Sequence, residues 1–445
     1  MRRMTRGVVA LEEEIVAAAA AAPEVAAIGD NAESLETDLI EVTEEAAAQS
    51  DEAAQTEEAG EVVEALESIA EAMKLSAANG GLDKHAAHAI GIATEHMYQR
   101  VGLKTSSMPA LESFGGTSSR VGATKLAMED IKEQAKKIWA AIVAAFKRAI
   151  QWAIDFYNKI FGAWEKLEKR ADALATKADG VTGTAKEKTF ENERLAGALN
   201  IGGTVPANVM EHVKSLQELC ATLSNADRLK LYEVTLESMS ATDAEKEFAK
   251  KYALPAFSAG GIDGSALSNP ESLGFNPPKA GLSIYRSKEL LGGKALITRA
   301  NSKALVGEEA ITAFSGFNAG VEAFDPKAKE LSKKDLPVLT TAAAEEIAKA
   351  VSKVSVEGRA YRNKLGKTTE MKKKMTALAE KMAKDAGSAE GEAVENFKAM
   401  QKVASNFART IDQPAGSVSV YALGTSKALL DYVEESLKQY GKADK

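Results

Sequence analysis

The chain offers few groups that could perform chemistry, and they are scattered. His85 and His88 stand three residues apart with His96 further on, a spacing that sets two imidazoles on one helical face, where they could ligate a metal. The glutamate-containing spacing of zinc hydrolases is missing around them. His212 falls among apolar positions with no second histidine or cysteine beside it, as a core or surface histidine does. Cys220 is the single cysteine, so one chain can build neither a thiolate zinc site nor a disulfide, and the residue reads as a small core side chain in a protein assembled in a reducing compartment. No phosphate-binding loop, nucleophile elbow or dinucleotide-binding glycine pattern occurs. The expectation is a protein without catalytic residues, metal or cofactor.

The more informative short pattern is one on which another enzyme would act. Ala-Leu-Glu-Ser occurs at Ala65–Ser68 and again at Ala110–Ser113, with weaker echoes at Ala10-Leu11-Glu12 and Ser34-Leu35-Glu36. The first copy lies within a helical pattern, where the backbone is already hydrogen-bonded. The second lies between Pro109 and Gly115-Gly116 in a stretch rich in Ser and Thr, where proline and glycine both oppose a helix. Proteases bind their substrates extended, so an open, exposed Ala110-Leu111-Glu112-Ser113 is a segment that a protease could thread into its cleft.

Charge changes sign at the same place. Residues 1–112 carry 22 acidic and 7 basic side chains, a net of −15, whereas 113–445 carry 42 and 49, a net of +7. An acidic arm therefore precedes a mildly basic body. The first 71 residues alternate Glu clusters with Ala and Thr and contain few large apolar groups, so much of that stretch is expected to be disordered alone. Arg2, Arg3 and Arg6 before an alanine string imitate a secretory leader, but Glu12, Glu13 and Glu14 interrupt the run. No apolar run approaches the roughly 20 residues that span a bilayer.

The elements around these features are mostly helical. Val62, Val63, Leu66, Ile69, Ala70 and Met73 mark a short amphipathic helix that ends at Asn79-Gly80-Gly81, and Leu82–Val101 reads as its partner, with Ile90, Ile92, Met97 and Val101 apolar. Residues 123–178 hold all three tryptophans and no proline. At 100° per residue, Trp139, Val143, Phe146, Ile150, Ile154, Tyr157, Phe161 and Trp164 share one band, while Lys137, Arg148, Lys159, Lys166 and Arg170 gather opposite. The stripe can be the core face of a bundle, the basic side can lie on a polyanion, or the helix can sit at a membrane interface, an option carried by Trp152 and Phe156 beside Arg148 and Lys159. Helical spacing returns over 206–252, followed by a Gly/Pro-rich linker. Leu282–Ser287 and Ala295–Arg299 flank Leu-Leu-Gly-Gly-Lys as a hairpin, and further helices are expected at 340–354, 355–382, 389–411 and 426–440. Lys372, Lys373 and Lys374 form the densest basic run, flanked by Arg359, Arg362, Lys364 and Lys367.

An acidic propiece, the sequence Pro-Ala-Leu-Glu-Ser-Phe-Gly-Gly and a Trp-rich basic helix directly after it resemble the internal head proteins of large contractile-tailed bacteriophages, most strongly over residues 57–177. The resemblance implies a precursor co-assembled in the prohead with core, scaffold or shell proteins. A prohead protease would cut it between Glu112 and Ser113, with Glu12, Glu36 and Glu67 as weaker sites. The product would stay inside the capsid with the DNA and could be ejected with the genome. Assembly would take place in the host bacterial cytoplasm. Lys137, Arg148, Lys159, Lys166, Arg170, Lys372, Lys373 and Lys374 become candidates for sequence-independent contact with packaged DNA. The expected layout is mainly α: an acidic propeptide (1–112), a flexible linker (113–122), the Trp-rich helix (123–178), a helical region with a Gly/Pro-rich linker (179–279) and a mainly helical C-terminal domain with a small hairpin (280–445). The alternative function is an effector that binds membrane or cell envelope through the Trp-rich helix.

Overall fold

A computed structural model describes residues 32–103, 108–222, 265–276, 282–300, 318–327, 331, 334–386 and 416–440. Within them the chain forms two compact units, one built from 61–135 and the other from 35–60 with 136–440.

Ala and Glu are strong helix formers, and the arm is rich in both. Residues Ala32–Ala78 accordingly form one 47-residue helix, α1, where the sequence pattern marked an amphipathic helix only from Val62 onward. It stops where Gly80 and Gly81 take φ of +100° and +83°, the left-handed geometry that glycine adopts without strain. Helix α2, Lys84–Arg100, follows at once, with the Asp83 carboxylate accepting a hydrogen bond from the Ala86 amide at 2.8 Å. Its buried face is Ala87, Thr94 and Tyr98; Ile92, expected on that face, is 57% exposed. A 3-10 turn, Leu111–Phe114, leads into α3, Thr117–Asp179.

The segment 113–122, expected as a flexible linker, thus holds the end of a turn and the start of a helix. Gly115-Gly116 separates the two without preventing α3 from beginning at Thr117. The loop after α1 anchors that first turn: the Leu82 amide donates to Thr124 Oγ1 at 2.9 Å, and Thr124 donates to the Arg120 carbonyl at 2.7 Å. A Cβ on Gly81 would lie 2.6 Å from the Arg120 carbonyl carbon, so only glycine permits this approach. Val62, Val63, Leu66 and Met73 of α1, Phe114, and Ala127 and Ile131 of α3 are also buried in the first unit.

The second unit packs the remainder of α3 against α4 (Glu193–Leu199), α5 (Met210–Thr222), α6 (Thr341–Ala386) and a helix over 416–438, called α7. Its core joins Phe156, Ile160, Trp164 and Leu167 to Leu195, Val213, Ile347, Val351, Leu423, Leu429 and Tyr432. Two expected helices, 340–354 and 355–382, are one: α6 passes Gly358 without a break because Trp164 packs there, and a Cβ at Gly358 would meet its indole Cε2 at 2.5 Å.

The expected hairpin is present as β3 (Ser283–Arg286) and β4 (Lys294–Ala300), paired Ser283 to Ala300 and Arg286 to Ile297. It is the middle of a four-stranded antiparallel sheet in the order β2-β3-β4-β5, with β2 at Ser265–Ala266 and β5 at Asn318–Ala323. A separate two-stranded ladder joins β1 (Thr189–Glu191) to β6 (Asp335–Pro337). The expected helix over 389–411, and the part of the 206–252 helix beyond Thr222, lie outside the described residues.

Candidate functional site

The junction is exposed but turned. Ala110, Leu111 and Glu112 are exposed, and Ala110 has the extended backbone (φ −53°, ψ 139°) suited to a protease cleft. From Leu111 onward the chain coils into the 3-10 turn. The Ser113 amide donates to the Ala110 carbonyl at 2.8 Å and the Gly115 amide to Glu112 at 3.0 Å, so a protease must open one turn to reach the bond. The cause is Phe114: its side chain is fully buried, and Arg120 Nε holds its carbonyl at 2.9 Å, which draws Ser113 inward. The other copies differ. Glu67 sits mid-helix beside fully buried Leu66, Glu36 lies in the second turn of α1, and Glu12 is outside the described residues.

The basic candidates separate into four groups. Lys137, Arg148 and Lys373 are exposed and Lys166 is half-buried. Lys159 pairs with Glu41, Nζ to Oε1 at 2.7 Å, which sets a carboxylate of the acidic arm on the basic side of α3 within one compact unit. The side chains of Lys372 and Lys374 lie outside the described residues.

Arg170 is no surface contact at all. Its side chain is 8% exposed, and its guanidinium reaches Asp431 at 2.8 Å and Glu434 at 2.7 Å on α7. Asp431 also receives Lys427 Nζ at 2.9 Å and Arg194 Nη2 at 3.0 Å. Burial raises the pKa of the Asp431 carboxyl, but the hydrogen bond from Lys427 and the charge of Arg170 outweigh it, holding the group below the ordinary carboxylate value. Arg359 is likewise committed, paired with Glu168 of α3.

The reason for the error over Arg170 is the phase of α3. Its buried residues Ile138, Ile142, Ala145, Phe156, Ile160, Ala163, Leu167, Ala171, Leu174 and Ala178 define a face roughly a quarter turn from the aromatic band. Arg170 lies at the margin of that face. Of the band, Trp139, Phe161 and Trp164 are buried, while the side chains of Val143, Phe146, Ile150, Ile154 and Tyr157 lie outside the described residues. Phe156, one of two residues behind the membrane reading, is fully buried in the core, and the Trp152 side chain is outside the described residues. Among the described residues no helix is long and apolar enough to cross a membrane, and none of their carboxylate, imidazole or thiol groups cluster as a metal site.

A sequence model of the phiKZ-like phage internal head proteins matches residues 28–435, from the arm through to the last helix. The chain belongs to that family. It is therefore a structural protein of the phage head, held inside the virion capsid and associated with it. No curated protein and no solved structure matches the chain. The match covers both the acidic arm from residue 28 and the basic body.

Sequence reasoning missed Glu41 and Phe114. Glu41 carries no signal beyond being one of many acidic residues in the arm. Phe114 did carry one: it is the only large apolar side chain between Leu111 and Val121, and such a residue in a Ser/Gly stretch anchors a turn.

Proposed function

We propose that this internal head protein is made as a precursor whose acidic arm covers the basic side of α3 during assembly. The phage's prohead protease then cuts after Glu112, and the body remains in the capsid against packaged DNA, without catalytic activity of its own. The observation that carries the reading is the Glu41–Lys159 pair. Residues 35–60 bear nine carboxylates and no basic group, and they belong to the same compact unit as the basic stretch of α3. A single exposed ion pair of this kind contributes little, about 0–1 kcal/mol. The field of nine carboxylates is what competes with a DNA backbone, because each phosphate contact made by Lys or Arg releases condensed counterions. The exposed Ala110-Leu111-Glu112 supplies the recognition segment.

The test is N-terminal peptide mapping of the protein from mature virions, where a chain beginning at Ser113 is expected. A chain beginning at Met1 or Met4 would defeat the processing reading. In parallel, residues 113–445 should be retained on DNA more strongly than the full chain at low salt. That difference should vanish as salt screens both.

A further inference from the structure

The first unit spans the bond that processing would break. Arm and body are joined there by contacts between residues on opposite sides of Glu112–Ser113, and α1, α2 and the start of α3 share one compact fold. The Leu82 amide bonds to Thr124, and Gly81 lies against the Arg120 backbone. The turn holding Phe114 packs on α2. On the arm side Val62, Leu66, Met73 and Tyr98 are almost wholly buried, as are Phe114, Ala127 and Ile131 on the body side.

We infer that the face formed by Phe114 and the first turns of α3 is a docking surface for the arm itself, so that cutting at Glu112 produces a nicked, two-chain protein rather than a free body. The inference rests on the reading that the Glu112–Ser113 bond is cut. Hydrolysis of that one bond opens the Leu111–Phe114 turn, whose hydrogen bonds from Ser113 to Ala110 and from Gly115 to Glu112 cross it. It leaves the Leu82–Thr124 bond, the Gly81–Arg120 approach and the apolar face around Phe114, and the hydrogen bonds within α1 and α2 lie wholly on the arm side. The alternative cut positions do not undo the docking. Glu36 lies in the second turn of α1, well before the buried residues that begin at Val62, and Glu67 is shielded by its place in α1 beside buried Leu66. Clearing the arm from the basic side of α3 is then a second step, distinct from scission, and it requires unfolding of the first unit or competition by a stronger polyanion.

The experiment uses the full chain with the recognition sequence of a site-specific protease in place of Lys104–Ser107, a change that replaces none of the residues named above. After cutting, the two fragments are run on a sizing column at physiological salt and again at about 1 M salt, where exposed ion pairs are screened within a few ångströms. Co-elution under both conditions, with separation only in denaturant, is the expected result. An arm that elutes by itself in either buffer would overturn the inference; release at high salt alone would mean that charge, not the apolar face, had held it. Because the cut is imposed, this outcome is independent of whether the virus cuts at Glu112, which the N-termini in virions decide.

Discussion

Replacing Arg170 with alanine separates a structural role from a DNA-contact role. The side chain is 8% exposed and ends between Asp431 and Glu434. Breaking a buried pair by removing one partner costs about 3–5 kcal/mol, because the remaining charge stays buried. Here the low end applies. Asp431 keeps Lys427 at 2.9 Å and the largely exposed Arg194 at 3.0 Å, and Glu434 is a third exposed and can hydrate. About 3 kcal/mol corresponds to a melting shift of about 4 °C for a unit of more than 300 residues. The assay is a thermal melt of the full chain by circular dichroism, paired with retention on DNA across a salt series. Lys137→Ala, Arg148→Ala and Lys373→Ala provide the contrast: each is exposed, so each should change stability by no more than about 0.5 kcal/mol while weakening retention. The reasoning fails if Arg170→Ala melts within about 1 °C of the parent, the limit expected of a surface site, and loses DNA as the exposed variants do.

Gly358→Ala should destabilise by about 1–3 kcal/mol although the same change usually favours a helix, because the new methyl would meet the buried Trp164 indole at 2.5 Å; a higher melting temperature would mean the crossing is looser than described. Cys220 is buried, and desolvation, with the charge of Glu357 second, pushes its thiol up to about 12, so it should resist a disulfide reagent at neutral pH in the native protein and react fully in denaturant. Rapid native labelling would contradict that burial. Asp431→Asn tests the ionic cluster by pH. A carboxylate with a lowered native pKa contributes stability that is complete above its unfolded value, about 3.9, and is lost as pH falls through the native one. The melting gap between parent and variant should hold steady from pH 7 to about 5 and close on acidification below about 4; a gap that widened in acid would reverse the assigned sign.

Much of the helical layout was legible because long segments with strong periodicity and glycine stops encode it locally. The end of α1 at Ala78, the span of α2 and the β3–β4 hairpin follow from Asn79-Gly80-Gly81, Asp83 and Leu-Leu-Gly-Gly-Lys. The phase of α3 was not legible from its large side chains. Its buried face runs through Ala145, Ala163, Ala171 and Ala178, small residues that let neighbouring helices approach but weigh little in a hydrophobic wheel. Arg170 misled for the same reason, since its partners lie more than 250 residues away on α7 and no local pattern announces them. Strands β2 and β5 have a similar cause: they owe their place to pairing with the central hairpin rather than to their own composition. At the junction, Pro109 and the Ser/Gly stretch correctly marked exposure, while the turn came from a single phenylalanine.

Helix α7 has a consequence for how the protein comes off the ribosome. Val418, Leu423, Leu429 and Val433 belong to the same core as Trp164 and Ile347, and Tyr432 and Tyr440 hydrogen-bond back to the carbonyls of Pro337 and Leu339. Translation delivers these residues after every other part of that core. Until they emerge, the nascent chain displays an uncovered greasy surface, and the strongly charged segment made well before it is the portion best able to keep neighbouring polysomes from sticking together.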